Sequence, residues 1–265
     1  MNIFDSIILG IVQGLTEFLP ISSSGHLIIF RDILGWHTSS DLSFDAILQL
    51  ATALAIIVYF WKDIFKLIRS FLNLITKKKT DEEDKTIILA IIIGTVPAII
   101  AGIFLEKYME TIFRSSLLVA FVLIVGSLVM YLAEKFSTQN EDLTIKKGFY
   151  IGLFQCLALV PGFSRSGATI SGGLFSGLDR GNAARFSFLL SIPIILGAGL
   201  KKVYEIWLSG QLSSDWITLL VGALTAFIVG LFAIKFLMNF LKKYSLKVFI
   251  YYRLILAILI IILIL

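Results

Sequence analysis

The sequence predicts an all-α polytopic membrane protein: an inverted-topology repeat with six transmembrane helices and two re-entrant helical hairpins. Three observations carry this prediction. First, of 265 residues 58% are hydrophobic and 15% are charged, and the mean hydropathy is +0.94. A soluble domain carries about 25% charged residues, so the loops leave no room for one. Second, one pattern occurs twice. Gly10-Ile11-Val12-Gln13 leads into Pro20-Ile21-Ser22-Ser23-Ser24-Gly25-His26, and Gly152-Leu153-Phe154-Gln155 leads into Pro161-Gly162-Phe163-Ser164-Arg165-Ser166-Gly167-Ala168-Thr169. Gly10 and Gly152, Gln13 and Gln155, Ser22 and Ser164, and Gly25 and Gly167 are each 142 positions apart, with the prolines 141 apart. Third, the basic residues gather in alternate loops.

The elements follow in order. Segment 3–30 has apolar arms on either side of a Pro/Ser/Gly centre, and neither arm reaches the ~20 residues a span needs. Irregular backbone at membrane depth is tolerated only where protein buries it or where it lines a cavity. A re-entrant hairpin is therefore expected. Three apolar spans follow at 44–61, 86–105 and 117–134. Segment 148–178 repeats the interrupted pattern, and spans at 185–204, 216–236 and 248–265 complete the chain. Residues 1–265 read as a single membrane domain, with repeat 1 at about 1–140 and repeat 2 at about 141–265.

Charge orients the spans. The loop 62–85 carries Lys62, Lys66, Arg69, Lys77, Lys78, Lys79 and Lys85, and its run Lys77-Lys78-Lys79 before Asp81-Glu82-Glu83-Asp84 reads as a solvated loop. Segment 135–147 carries Lys135, Lys146 and Lys147, and 235–247 carries Lys235, Lys242, Lys243 and Lys247. Basic loops face the cytoplasm. The opposite loops near 31–43, 106–116 and 205–215 hold only Arg31, Lys107 and Arg114, with Lys201 and Lys202 counting mildly against the assignment. The first hairpin then enters from outside and the second from inside, which brings their polar tips together near the midplane.

Several classes are excluded. The lone Cys156 rules out intramolecular disulfides and a thiolate metal cage, and reads as a small buried residue. The N-terminus lacks a basic stretch followed by a cleavage site, so no removable signal peptide is expected. The net charge of +5 comes from juxtamembrane lysines and does not indicate nucleic acid.

The chemistry-bearing residues sit in the two interrupted segments. Gln13 and Glu17 share a helix face at i, i+4. A carboxylate inside a membrane is costly and points to function, although it can also serve as an ion-pair partner or helix cap. Ser22, Ser23 and Ser24 before Gly25-His26 read either as helix caps or as an anion site at a helix start. Histidine is the side chain that titrates near neutral pH, which at position 26 favours chemistry over capping; His37, in a polar outer loop, is given no role. Arg165 needs an anion or a cavity at membrane depth, and its planar fork suits phosphate. Ser164, Ser166 and Thr169, with the amides around Gly162 and Gly167, complete a candidate cradle. The structural alternative is an Arg165–Glu17 ion pair that only locks the hairpins together. Arginine, hydroxyls, a carboxylate and a histidine within a membrane point to a phosphorylated, membrane-borne molecule.

Gln13-x-x-x-Glu17, the turn Pro20-x-Ser22-Ser23-x-Gly25-His26 and the block Pro161–Thr169 resemble the motifs of the undecaprenyl-diphosphate phosphatase, or bacitracin-resistance, family. The resemblance extends to Phe44-Asp45, Gln49-Leu50 and Tyr252-Arg253. It implies a multi-pass protein of the bacterial inner (plasma) membrane that removes the terminal phosphate of undecaprenyl diphosphate. The product is the carrier lipid for peptidoglycan and other wall polymers. The resemblance also implies a divalent cation, Mg²⁺ or Ca²⁺, with Glu17 and Gln13 as the metal-side residues; some members have Glu where this chain has Gln13. On this reading Arg165 holds the diphosphate, and Ser23 is the candidate nucleophile. His26 is base, acid or nucleophile, and Glu17 is a metal ligand or a base orienting His26. Ser22, Gly25, Ser164, Ser166, Gly167 and Thr169 contact the substrate, and its tail lies between helices lined by Leu, Ile and Phe. Expected partners are the diphosphate and membrane lipid, not nucleic acid, with homo-oligomerisation permitted. The rival reading is a lipid-phosphate flippase using the same residues without hydrolysis.

Overall fold

The computed structural model describes residues 2–30, 41–110, 115–209 and 216–264. The regular elements among them are helices: α1 (Ile3–Thr16), α2 (Ser23–Ile28), α3 (Asp41–Tyr59), α4 (Trp61–Ile75), α5 (Glu82–Glu110), α6 (Ser116–Phe136), α7 (Ile145–Leu157), α8 (Arg165–Phe175), α9 (Arg180–Ser209), α10 (Trp216–Leu241) and α11 (Lys247–Ile264). Five of these, α5, α6, α9, α10 and α11, contain stretches long and apolar enough to cross a bilayer. Helices α3 and α4 make a sixth candidate only as a pair, and that pair is bent by 82° at Phe60. The chain is thus an all-helical, multi-pass membrane protein with five or six candidate spans.

One expectation needs correction. Residues 62–85 are not a loop, because helix α4 occupies most of that stretch and only the turn near 76–81 is irregular. The apolar row of α4 is amphipathic rather than continuous, so a search for unbroken hydrophobicity passes over it. Lys77, Lys78 and Lys79 are exposed as expected, whereas Asp84 is buried, accepting from Ser70 Oγ at 2.8 Å and pairing with Lys66 at 2.7 Å. The outer segments 31–40, 111–114 and 210–215, including His37, lie outside the described residues.

The duplication read in the sequence recurs in the backbone. Helices α1 and α7 begin 142 positions apart, at Ile3 and Ile145, and so do α2 and α8, at Ser23 and Arg165. Their starts are capped at matching positions, by the side chains of Asn2 and Thr144. Each unit breaks into a short turn and restarts at a serine with positive φ: Ser22 (φ 77°, ψ 99°) and Ser164 (φ 73°, ψ 118°). A non-glycine residue there is strained, and such strain persists only where the surroundings fix it.

Packing crosses between the halves. Helix α1 lies against α10 and α7 against α5, while α3 meets α9 and α6 meets α11. Lipid supplies no hydrophobic drive between helices, so close backbone approach through small residues takes its place. A Cβ on Gly10 would come within 2.6 Å of the Gly222 carbonyl oxygen, and one on Gly152 would strike the backbone of Gly94. The main core lies beneath the two turns. There Phe18 meets Phe188 edge-on with centroids 5.7 Å apart, and Phe60 meets Phe188 at 6.0 Å. Glu134 of α6 accepts from Arg180 Nε (2.9 Å to Oε1, 3.1 Å to Oε2) and Nη2 (2.6 Å) and from the Leu246 amide (2.8 Å), tying α6, α9 and the start of α11.

Candidate active site

Glu17 ends α1. Its amide still bonds back to the Gln13 carbonyl at 2.9 Å, so the carboxylate leaves the helix directly over the turn. Gln13, one helical turn earlier, donates from Nε2 to Glu17 Oε2 at 2.9 Å. Ser23, the first residue of α2, donates from Oγ to the same oxygen at 2.8 Å. The other oxygen, Oε1, pairs with Arg165 Nη2 from the second repeat. One carboxylate therefore gathers three donors from both halves, with side-chain exposures of only 8% for Glu17 and 16% for Arg165. So little water leaves the pair weakly screened. Two polar atoms here are buried without a partner among the described residues: Arg165 Nη1 and Gln13 Oε1. Such atoms are rare and costly in folded proteins.

Strained serines build the platform. Ser22 Oγ accepts from the Gly25 amide and Ser164 Oγ from the Gly167 amide, both at 3.2 Å. Ser22 and Ser164 are thus helix caps, and their glycines keep each cap close: a Cβ on Gly25 would meet Ser22 Oγ at 3.2 Å. Matching serines then join the two turns. Ser24 Oγ accepts from the Gly162 amide at 3.3 Å, and Ser166 Oγ donates to the Leu19 carbonyl at 3.3 Å. Thr169 is buried with its hydroxyl engaged twice, by the Arg165 carbonyl (2.8 Å) and by Ser187 Oγ (2.5 Å). These hydroxyls hold the backbone that presents Ser23 and Arg165.

His26 stands apart from that cluster. Nδ1 meets the Ser22 carbonyl at 2.7 Å, which makes this nitrogen the protonated donor. Nε2 lies 2.7 Å from Tyr252 Oη. Neither nitrogen faces Ser23 or Glu17, so Glu17 does not orient His26, and the group hydrogen-bonded to Ser23 Oγ is the Glu17 carboxylate. With Tyr252, His26 edges an apolar cavity of about 610 Å³ between α1, α2 and α11, lined chiefly by Ile11, Leu15, Leu19, Ile21 and Phe249.

Sequence reasoning from the motifs assigned no role to the most buried cation among the described residues. Arg253 of α11 is 0% exposed, and each of its five N–H groups has an acceptor. Nη1 reaches the Pro20 carbonyl (3.3 Å) in the first turn and the Phe163 carbonyl (2.9 Å) in the second. Nη2 reaches the carbonyls of Gly162 (3.1 Å) and Leu123 (3.3 Å), and Nε reaches Ser127 Oγ (3.2 Å). The signal was available: Arg253 is a lone charge in the apolar run 248–265, the feature that singled out Arg165.

No group of three or more His, Cys, Asp or Glu side chains suited to a metal occurs among the described residues. Glu17 is the one carboxylate of the two turns, and both its oxygens are engaged by protein donors. The buried Gln13 Oε1 beside it is a neutral oxygen ligand without a partner. This donor set fits a hard cation whose remaining ligands are water and phosphate oxygens.

Comparison with known proteins places the chain in a family. A family model described as bacitracin resistance protein BacA matches residues 6–259. The undecaprenyl-diphosphatase of Pelodictyon phaeoclathratiforme is 43% identical over 267 residues, covering 96% of this chain and 94% of that protein. The undecaprenyl-diphosphatase of Methanosphaera stadtmanae is 42% identical over 276 residues, covering 99% and 98%. That of Thermodesulfovibrio yellowstonii is 43% identical over 261 residues, covering 98% and 96%. With two strained serine turns facing each other across a shared carboxylate and a family match along nearly its whole length, the chain belongs to the bacitracin resistance protein BacA family.

Proposed function

We propose that this protein is an undecaprenyl-diphosphate phosphatase of the bacterial cell membrane, releasing inorganic phosphate and returning undecaprenyl phosphate to cell-wall synthesis. The observation that carries the reading is the Ser23 hydroxyl bonded to Glu17 at 2.8 Å beside Arg165. That is the geometry of a nucleophile with its base, next to a guanidinium with a spare buried donor. Ser23 Oγ bonds to the terminal phosphorus while its proton passes to Glu17. The bond from that phosphorus to the bridging oxygen breaks, and undecaprenyl phosphate leaves with the electron pair as its phosphate anion while Glu17 keeps the proton. Water then attacks the phosphoserine, Glu17 returns its proton to the departing Ser23 oxygen, and the protons of the water leave with inorganic phosphate. Arg165 Nη1 donates to the equatorial phosphate oxygens, where charge is spread in the transition state. Glu17 and Gln13 would hold the divalent cation, Mg²⁺ or Ca²⁺, which when bound neutralises phosphate charge. His26 is a positioning residue: its bond to the Ser22 carbonyl braces the strained turn that presents Ser23. The isoprenoid tail lies in the apolar cavity beside His26 and Tyr252.

The test is phosphate release by purified protein from the C55 diphosphate in detergent. Wild type releases phosphate, EDTA suppresses release, and Ser23→Ala abolishes it. A flippase would bind the same lipid and release nothing, and it has no use for a serine bonded to a carboxylate. Substrate movement without phosphate release would reject the phosphatase reading.

The finer architecture belongs to the same proposal. The chain is one membrane domain in which two re-entrant hairpins, α1–α2 and α7–α8, enter from opposite sides, each followed by three crossings. The crossed packing of α1 on α10 and α7 on α5 supports this arrangement. Its prediction concerns a cysteine placed at Thr80 on a Cys156→Ser background. The cysteine stays unlabelled by an impermeant maleimide in intact cells and reacts after permeabilisation. Labelling in intact cells would overturn the orientation.

A further inference from the structure

Helix α4 carries a surface that the phosphatase reading does not use. Its residues fall into three lengthwise strips. One strip packs on the protein: Ser70 reaches Asp84 of α5 (2.8 Å), and Asp63 pairs with Arg185 of α9. A second strip is apolar and faces outward. Trp61, Phe65, Ile68, Leu72 and Ile75 recur at i, i+4, i+7, i+11 and i+14, each 53–70% exposed. The third strip runs one residue on, at Lys62, Lys66 and Arg69, and is basic and exposed. Lys66 is held by Asp84, and the Lys62 ammonium lies 5.7 Å from the Trp61 ring centroid. The acid in this helix, Asp63, is turned onto Arg185, away from the basic strip.

Helix α4 turns away from α3 by 82° at Phe60. A helix roughly perpendicular to a crossing, with an apolar edge beside a basic edge, matches the layering of a bilayer surface: acyl chains on one side, headgroups on the other. An apolar cleft of about 250 Å³ opens alongside, between α4, α5 and α9, lined by Ile64, Ile68, Ile91, Leu189, Ile192 and Pro193. Exposed Lys77, Lys78 and Lys79 follow directly, and clustered cations next to a membrane favour anionic lipid.

We propose that α4 lies in the membrane surface and seats an anionic phospholipid, with an acyl chain along the apolar row and cleft and the headgroup on Lys62 and Arg69. The assignment is independent of the phosphatase chemistry.

The test uses the full chain with Trp36, Trp207 and Trp216 changed to Phe, so that Trp61 is the reporter. The protein is reconstituted in vesicles of phosphatidylcholine and phosphatidylglycerol, with one lipid at a time brominated at a defined chain depth. Lipid brominated near the headgroup quenches Trp61 more strongly than lipid brominated near the chain end. Phosphatidylglycerol associates with the Trp61 site about fivefold more tightly than phosphatidylcholine, the effect of about one cation near the surface. Lys62→Gln with Arg69→Gln removes that preference and leaves the depth unchanged. Strongest quenching from the chain ends would make α4 the second arm of a broken span, and absence of quenching would place it in water. Equal association of the two lipids in the chain with native Lys62 and Arg69 would remove the anionic seat. Each of these three results overturns the proposal.

Discussion

Arg165→Lys lowers phosphate release by about 10²–10³-fold, the usual cost of one transition-state donor, although the positive charge is retained. An ammonium is a point charge and cannot hold Glu17 with one nitrogen while offering another to phosphate. The structure divides Arg165 in that way: Nη2 is on Glu17, and Nη1 is buried and without a partner. The same geometry fixes how variants combine. Ser23, Glu17 and Arg165 meet at one carboxylate, so Ser23→Ala, Glu17→Gln and Arg165→Ala each cost nearly as much as all three together, as for residues acting as a unit. The measurement is single-turnover phosphate release for the three single variants and the triple. If the triple loss equals the product of the single losses, the residues act independently and the shared site is wrong. Thermal unfolding in detergent is unchanged in Arg165→Lys, because lysine keeps the charge paired with Glu17 and the other cross-links between the turns run through Ser24, Ser166 and Arg253 rather than through Nη1.

Much of this arrangement was legible in the sequence, for a physical reason. Helix starts, strained serine caps and close-approach glycines are local demands, and the chain states each of them twice at one fixed offset. The same offset brought Glu17 and Arg165 out as the unmatched members of their repeats, and unmatched charge at membrane depth is expensive. Two things were not legible. Which hydroxyl serves chemistry and which serves structure depends on partners far apart in the chain. Thr169 is spent on Ser187, Ser166 on Leu19 and Ser22 on its own helix, while Ser23 alone of these turns toward Glu17. His26 likewise read as base, acid or nucleophile because it stands beside Glu17 and the serine cluster in the sequence. Its two ring nitrogens are instead engaged by the Ser22 carbonyl and by Tyr252, 226 positions on. Helix α4 was missed because its apolar residues follow a helical rather than a continuous pattern, between charges that read as a loop.

Arg253→Met should be the most damaging single change outside the reacting groups, and it should act on stability and turnover together. The guanidinium has no carboxylate among its hydrogen-bond partners; its five N–H groups go to four carbonyls and one hydroxyl. Burying that charge is costly, and replacing a buried ion by an apolar side chain is often tolerated. Here the balance tips the other way. Methionine leaves the buried carbonyls of Pro20, Gly162 and Phe163 without this donor, while the Leu123 carbonyl keeps its bond from Ser127 Oγ at 2.7 Å. Each acceptor left bare costs about 1–3 kcal/mol. The losses also fall on both turns at once, so the first turn is no longer held against the second, and Ser23 and Arg165 lose their common register. Arg253→Lys recovers only part of this, because three donors on one nitrogen cannot span acceptors arranged around a planar fork. The expected result is a lowered unfolding midpoint in detergent for Arg253→Met, an intermediate midpoint for Arg253→Lys, and phosphate release falling in step with both. That pattern separates Arg253 from Arg165, whose lysine variant loses turnover at full stability. An Arg253→Met protein that unfolds at the wild-type temperature and still releases phosphate would mean that the two turns hold each other through Ser24, Ser166 and the Glu17–Arg165 pair, and that Arg253 does not clamp them.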